Sequence, residues 1–153
     1  MIPFSGSSLD RASHRRTDTQ WLAAQLSNAR TLIHPMWKLQ PLAIGNDDGP
    51  LAPAFFAPGL CEELAGQNAP CIFLGLDQDL AVFALDISAA ADPEISGPLA
   101  GLGRFRELRA SAALYSDGDL AILAQAKSLI DWHQRHGFCP RCGSPTVLMV
   151  LRV

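Results

Sequence analysis

The stretch LGLDQDLAVFALDI, residues 74–87, decides the fold class. Two apolar segments flank the polar residues Asp77, Gln78 and Asp79, and this pattern predicts a β-hairpin with the three polar residues at its tip. Two short apolar runs bounded by proline or glycine also read as strands: APAFFA (52–57), and CIFLGLD (71–77), which overlaps the start of this stretch. Strands so close in sequence favour an antiparallel or mixed sheet over a doubly wound parallel one. We therefore predict an α+β fold, with a mixed or antiparallel sheet and flanking helices.

Upstream of this hairpin the pattern predicts one helix and one strand. TDTQWLAAQLSNAR (17–30) is typical of a short helix capped by Thr17 or Asp18. MWKLQPLAI (36–44) alternates well enough to predict a single strand, which the turn sequence GNDDGP closes. The polar, basic residues 1–18 are expected to form a surface arm or a lead-in to the first helix, and the proline- and glycine-rich residues 88–105 a loop.

The strongest local signal precedes a long helix. Ser116 and Asp119 form an S-x-x-D capping box, and apolar residues then recur at helical spacing as far as His133. Gly137 follows as a possible stop signal. The sequence therefore predicts a long C-terminal helix over 117–136, which leads the chain directly to Cys139.

Composition and charge limit the classes of function. The 153 residues are 48% hydrophobic and 18% charged, as in a folded domain, and the net charge of −3 gives no general attraction for nucleic acid or anionic lipid. The N-terminus has no apolar signal segment, and no apolar run approaches the roughly eighteen residues of a membrane span. Four scattered cysteines do not make a secreted disulfide framework. We expect a cytoplasmic protein without a membrane partner.

Cys139 and Cys142 form a C-x-x-C motif that has three interpretations. In a zinc knuckle, two thiolates hold one side of a tetrahedral ion, and a glycine after the second cysteine allows a tight turn. In a thiol–disulfide enzyme the motif opens a helix, whereas here it follows one. In a local site, His133 and His136 would join the two cysteines as H-x2-H-x2-C-x2-C, although both histidines also suit the negative end of a helix. Cys61 and Cys71 are most simply small buried hydrophobic residues.

Several stretches together resemble one family. WHQRHGFCPRCGSPT (132–146), the opening FSGSSLDRAS (4–13), FLGLDQDLAVFALDI (73–87) and ELRASAAL (107–114) resemble the front part of NADH pyrophosphatases of the Nudix hydrolase superfamily. The resemblance implies a degenerate Nudix-like domain, then a four-cysteine zinc ribbon, then a catalytic domain whose R-E-x-x-E-E core holds Mg²⁺ or Mn²⁺. That family cleaves NADH or NAD⁺ to a nicotinamide mononucleotide and AMP, and some members remove NAD caps from RNA.

The resemblance maps onto this chain only in part. It implies a Nudix-like domain over 1–135 and an incomplete zinc ribbon over 136–153, with Cys139 and Cys142 as zinc ligands, while the local spacing alone adds His136 as a further candidate ligand. The second cysteine pair and the R-E-x-x-E-E core are absent from the sequence, and CEELAGQ (61–67) does not replace that core. We therefore expect no catalytic residue, no hydrolysis by this chain alone, and a scaffolding role as a homodimer. The alternative is a free-standing zinc-binding or dimerisation module.

The end of the sequence departs from the family pattern. The tail VLMVLRV (147–153) replaces the polar and glycine residues expected in a ribbon. We expect either the front part of a longer protein or a reading frame that ends or shifts near residue 150. We also expect 138–153 to lack a partner strand and to be ordered only by metal or by a neighbour.

Overall fold

A computed structural model describes residues 4–64, 69–146 and 151–152, except for the side chains of residues 61–62 and 151–152. The elements in chain order are α1 (Thr19–Leu26), β1 (Leu32–Trp37), β2 (Gln40–Gly45), β3 (Leu51–Pro53), α2 (Pro58–Glu62), β4 (Pro70–Asp77), β5 (Leu80–Asp86), β6 (Arg104–Phe105), α3 (Leu108–Ser111), α4 (Asp117–Arg135) and β7 (Leu151–Arg152). Short 3₁₀ turns precede α1 and follow α3.

The strands form one mixed sheet in the order β3-β2-β1-β5-β4-β7, with β6 paired to β2. Among the described strands β1 and β5 run parallel, with Leu32 opposite Val82, and the other pairings are antiparallel. The predicted hairpin is confirmed, since β4 and β5 pair with Asp77 opposite Leu80. The predicted α+β class with a mixed sheet, flanking helices and a long C-terminal helix is confirmed as well.

Both faces of β4 and β5 are buried, which explains why these strands read as nearly continuous apolar runs. One face carries Phe73, Phe83 and Leu85, and packs against residues of α1 and of the 88–105 loop. The other face carries Ile72, Leu74, Val82 and Ala84, and packs against Ile122, Ala126 and Ile130 of α4. The sheet is therefore the middle layer of the molecule.

Helices α1 and α4 begin where their predicted caps lie. The Asp18 carboxylate accepts a hydrogen bond of 2.9 Å from the Trp21 amide, and the Ser116 hydroxyl accepts one of 3.2 Å from the Asp119 amide. Helix α4 ends at Arg135, one residue earlier than predicted. Its end does not use a left-handed glycine, because Gly137 is not among the glycines with positive φ.

The predicted single strand over 36–44 is wrong. The chain reverses at Lys38 and Leu39, so that Trp37 lies opposite Gln40 and the segment forms the β1–β2 hairpin. Both turn residues have positive φ, 51° and 62°, a conformation that sequence patterns associate with asparagine and glycine. Because neither residue is a usual turn former, the alternation of apolar residues concealed the turn.

Two other segments differ from expectation. Arg104 and Phe105, the last residues of the predicted loop, pair with β2 as β6. The predicted lack of a partner strand for the 138–153 tail is also wrong, because the backbone of Leu151–Arg152 pairs with Pro70 and Cys71 of β4. Residues 147–150 and 153 lie outside the described residues, so the expected order of that part stays a prediction.

The N-terminal arm is part of the fold rather than a loose surface segment. Asp10 and Leu76 exchange backbone hydrogen bonds of 2.9 and 2.8 Å. Gly75 permits this approach, since a Cβ there would lie 2.5 Å from the Asp10 carbonyl oxygen. The Arg16 guanidinium donates hydrogen bonds of 2.8 and 2.7 Å to the carbonyls of Phe73 and Leu74. The arm and β7 thus cover the outer edge of β4, which protects an otherwise open strand.

Candidate metal half-site

The C-x-x-C motif lies in a tight turn, residues 137–146, directly after α4. The Cys139 amide donates to the Ser144 carbonyl and the Gly143 amide to the Cys139 carbonyl, each at 2.8 Å. Gly143 has a φ of 71°, so glycine at this position relieves the strain that a side chain would cause. These backbone hydrogen bonds close the loop around the two cysteines, as the knuckle interpretation requires.

The turn is fastened to the end of α4 by Thr146. The Thr146 amide donates to the Gly137 carbonyl at 3.0 Å, and its hydroxyl donates to the His136 carbonyl at 2.6 Å. A bridge between Phe138 and Pro145 pairs the two sides of the turn. These contacts hold the end of the turn against the two residues that directly follow α4.

Both thiols are at least partly accessible, and the surroundings of Cys142 favour loss of its proton. Cys142 is exposed and Cys139 is partly buried. Hydrogen bonding to the Ser144 hydroxyl, and next to the Ser144 backbone and the Cys139 thiol, lowers the pKa of the Cys142 thiol from its ordinary value. The Cys142 Sγ lies 3.4 Å from the Ser144 Oγ. Easier loss of the proton favours the thiolate, which is the form that binds metals.

The rings of His133 and His136 form hydrogen bonds with backbone carbonyls near the C-terminal end of α4. Each ring Nδ1 lies within hydrogen-bond distance of the carbonyl four residues earlier, 2.8 Å to Leu129 for His133 and 2.9 Å to Trp132 for His136. The His136 ring also stacks on Trp132, with 4.9 Å between ring centroids and an angle of 15° between the planes. The carbonyls can only accept, so Nδ1 carries a proton in both rings and donates these hydrogen bonds.

The donor set fits half of a structural zinc site. Thiolates are preferred zinc ligands, and such sites are almost always tetrahedral with four ligands. Within residues 4–64 and 69–146, no group of three or more histidine, cysteine or acidic side chains is placed to hold a metal ion. Cys139 and Cys142 could supply two ligands of such a site, and zinc binding by them, with or without His136, stays a prediction. The Mg²⁺ or Mn²⁺ site that the resemblance implies belongs to the catalytic domain.

The thiol-redox interpretation lacks the geometry it needs. A redox C-x-x-C gains its reactive thiolate from the N-terminus of a following helix. Here the motif follows the C-terminal end of α4, and residues 139–146 contain no helix. The dipole of α4 opposes rather than favours a negative charge at this end.

The remaining cysteines have different outcomes. Cys71 is 1% exposed in the core beside Phe73 and Leu85, which confirms its predicted burial. The side chain of Cys61 lies outside the described residues, so its predicted burial stays untested.

Sequence reasoning missed Arg16, since nothing in the run Arg15–Arg16 distinguishes the arginine that binds the sheet from its neighbour.

None of the described helices is long and apolar enough to cross a membrane.

The chain is similar to known proteins over most of its length. It is 26% identical to the NAD-capped RNA hydrolase NUDT12 of Homo sapiens, over 94% of this chain and 37% of that protein. An NAD-capped RNA hydrolase of Schizosaccharomyces pombe is also 26% identical, over 94% of this chain and 46% of its own length. The mitochondrial NAD(P)H pyrophosphatase NUDT13 of Homo sapiens is 36% identical over 48% of the chain and 19% of that protein. The chain therefore spans less than half the length of these relatives.

Residues 30–132 match the family described as the NADH pyrophosphatase-like rudimentary NUDIX domain. The matched segment contains the sheet from β1 to β6 and almost all of α4. Since the match covers well over half of the chain, and the fold is the mixed α+β architecture expected from the sequence, this protein belongs to the family of NADH pyrophosphatase-like rudimentary NUDIX domains.

Proposed function

We propose that this chain is the non-catalytic front part of a Nudix NADH or NAD⁺ pyrophosphatase, and that it contributes scaffold and dimer contacts rather than chemistry. The observation that carries the proposal is a NUDIX-like domain whose last helix leads into a tight C-x-x-C turn, in a sequence without the R-E-x-x-E-E core. The relatives named as hydrolases of NAD-capped RNA or NAD(P)H support these dinucleotides as substrates of the whole enzyme.

The turn contributes a structural half-site in this proposal. Cys139 and Cys142 hold two positions of a zinc ion, and Thr146 fixes the turn relative to α4. Zinc bound by four thiolates has no open position for substrate or water, so its role is to hold segments together. The sheet and α4 then act as the platform from which the metal-bound segment extends.

The test is an assay for hydrolysis by the purified 153-residue chain. Incubation with NADH or NAD⁺ and either Mg²⁺ or Mn²⁺ is expected to release no AMP, because the carboxylates that bind the catalytic metal are missing from the sequence. AMP release that survives repurification and depends on the divalent ion would contradict the proposal. A full-length Nudix pyrophosphatase provides the positive control.

A further inference from the structure

We propose that a groove between the N-terminal arm and the outer face of α4 binds a nucleoside monophosphate. In this arm groove, residues 4–7 of the arm form one wall, and Ala121, Ala124 and Leu129 of α4 lie opposite them. The inference goes beyond the proposed function, which gives this domain no ligand, and it rests on that function only in the choice of AMP as the probe. The cysteine turn takes no part in it.

The arm groove has the size of a small-molecule site. Its volume is about 510 Å³, within the range of roughly 300–1,000 Å³ that ligand pockets occupy. The side chains of Ala121 and Ala124 are small, so the surface of α4 leaves space beneath the arm. The wall is held in place where the arm meets the sheet, since Asp10 and Leu76 exchange backbone hydrogen bonds.

The charge of the groove favours an anion. Arg11 lines it, and no acidic side chain of the described residues does. The Arg11 side chain is exposed and makes no ion pair or hydrogen bond within the described part of the chain. Burial, and next the charge of Arg11, lower the pKa of Arg16, so the two positive charges lie close enough to repel each other. A phosphate bound by the planar guanidinium of Arg11 would relieve that repulsion.

The arm and α4 offer further polar groups. The backbone amides of Gly6 and Ser7 donate no hydrogen bond to any part of the chain that the structure describes, and both residues are exposed. Ser128, an exposed residue of α4, also lines the groove. A mainly apolar groove with a few such polar groups is typical of a site that orients a small ligand.

Phe4 provides an aromatic surface for the base. It is 44% exposed and lines the groove. Its φ of 62° is unusual for a bulky residue, and backbone strain of this kind is concentrated at functional sites. A nucleotide uses both groups, because its base stacks on an aromatic ring and its phosphate pairs with a guanidinium. A small anion would leave Phe4 uncovered, and an uncharged apolar molecule would leave Arg11 unpaired.

The experiment titrates the purified 153-residue chain with AMP, adenosine and inorganic phosphate, and follows binding by calorimetry and by amide NMR spectra. We expect one AMP to bind per chain with submillimolar affinity, and the amide shifts to be confined to residues 4–11 and 121–129. Adenosine lacks the phosphate and inorganic phosphate lacks the base, so each should bind at least about tenfold more weakly than AMP.

Two substitutions assign the site to the arm groove. Arg11→Gln and Phe4→Ala should each weaken AMP binding by about tenfold or more, because each removes one of the two main contacts. Arg30→Gln and Phe138→Ala make the same chemical changes at exposed positions outside the groove, and should leave AMP binding unchanged. Circular dichroism of all four variants checks that each is folded.

Three outcomes would overturn the nucleotide site. The first is no saturation by AMP in the millimolar range. The second is binding of inorganic phosphate as tight as that of AMP, which would make the groove a general anion site. The third is undiminished AMP binding in both Arg11→Gln and Phe4→Ala, which would place the nucleotide elsewhere. None of these results bears on whether the chain releases AMP from NADH, so the two proposals fail separately.

Discussion

Burial lowers the pKa of His34 on β1 and keeps its side chain uncharged. Its side chain is completely buried, its Nδ1–H donates to the Ala54 carbonyl at 2.8 Å, and its Nε2 has no hydrogen-bond partner in the described part of the chain. Desolvation lowers the pKa of His34 to about 4. The ring is therefore neutral at physiological pH, held as a polar member of the core.

The lowered pKa of His34 makes stability depend on pH. Between the folded value of about 4 and the ordinary 6.5, the unfolded chain binds more protons, so the free energy of unfolding falls as the pH falls through this range. This residue alone should account for about 2 kcal/mol of stability lost between pH 7 and pH 5. Denaturant unfolding at both pH values measures the loss.

Two asparagine variants isolate this effect. His34→Asn keeps a donor toward Ala54 but has no proton to gain, so the difference between pH 7 and pH 5 should shrink by about the same 2 kcal/mol. His14→Asn, at an exposed position, is the matched control and should keep the parental difference. An unchanged pH dependence in His34→Asn would show that His34 is not the responsible group.

Arg16 stabilises the outer edge of β4. Its guanidinium makes three hydrogen bonds to backbone carbonyls, those of Phe73 and Leu74 and, at 3.0 Å, that of Arg11, and it lies 5.2 Å from the centre of the Phe73 ring. Arg16→Met keeps much of the stem but removes all donors, and should cost about 2–3 kcal/mol of unfolding free energy.

The neighbouring Arg15 provides the control for this substitution. Its contacts are an ion pair of 3.7 Å with Asp18, with both side chains nearly half exposed, and a position over the Trp21 ring. Arg15→Met should cost less than about 1 kcal/mol. Equal losses in the two variants, measured by chemical unfolding, would argue against the assigned role of Arg16.

The residue roles that could be predicted from the sequence are those that a local pattern decides. The burial of Cys71 follows from its place in an apolar strand, and the cap at Asp18 from its place before an amphipathic segment. The role of Arg16 depends on carbonyls 57 and 58 residues away along the chain. A contact over that separation leaves no local pattern to detect.

Among the elements, α4 is capped at its start by Ser116, the residue before its first helical residue. The Ser116 hydroxyl accepts from the Asp119 amide and donates to the Asp119 carboxylate at 2.7 Å. Ser116→Ala removes this cap from the helix that covers one face of the sheet, and should cost about 1 kcal/mol. Thermal or denaturant unfolding measures the change.

Ser128→Ala makes the same chemical change inside the same helix. Ser128 is exposed, and alanine has the higher helix propensity, so this variant should be neutral or slightly more stable. If Ser128→Ala lost as much unfolding free energy as Ser116→Ala, removing a hydroxyl would cost the same inside the helix as at its cap. That result would contradict the capping explanation.

Element prediction succeeded where turn chemistry was conventional and failed where it was not. The β4–β5 hairpin has polar residues at its tip, and α4 has its capping box, so both were predicted. The β1–β2 turn places lysine and leucine in the left-handed region. Packing accounts for this, because Leu39 lies against the core cluster under α4 and its carbonyl accepts a hydrogen bond of 2.8 Å from Lys127.

At the scale of the whole molecule, the core and the metal half-site are separate. The described core residues lie between Leu9 and Ile130, whereas the cysteine turn begins at residue 137. In the presence of EDTA, the double variant with Cys139→Ser and Cys142→Ser should therefore unfold within about 0.5 kcal/mol of the parent chain. A large loss of stability without metal would show that the turn supports the domain.

The family and the two cysteines of the candidate metal half-site could be predicted from the sequence, because both depend on short motifs. Cys139 and Cys142 lie together in a tight turn, as their spacing indicated. The surroundings of the thiols could not be predicted, since the stacking of His136 on Trp132 and the anchoring by Thr146 depend on where α4 ends.

The parallel pairing of β1 with β5 also has a consequence for the order in which the chain folds. The β1–β2 and β4–β5 hairpins each close over two residues, whereas Leu32 and Val82 meet from positions 50 residues apart. Closing a long loop costs more entropy than closing a short one, and pairings distant in sequence slow folding. We therefore expect the hairpins to form early and their side-by-side docking to limit the folding rate. Until that docking occurs, β1 and β5 each present an unpaired strand edge to other chains.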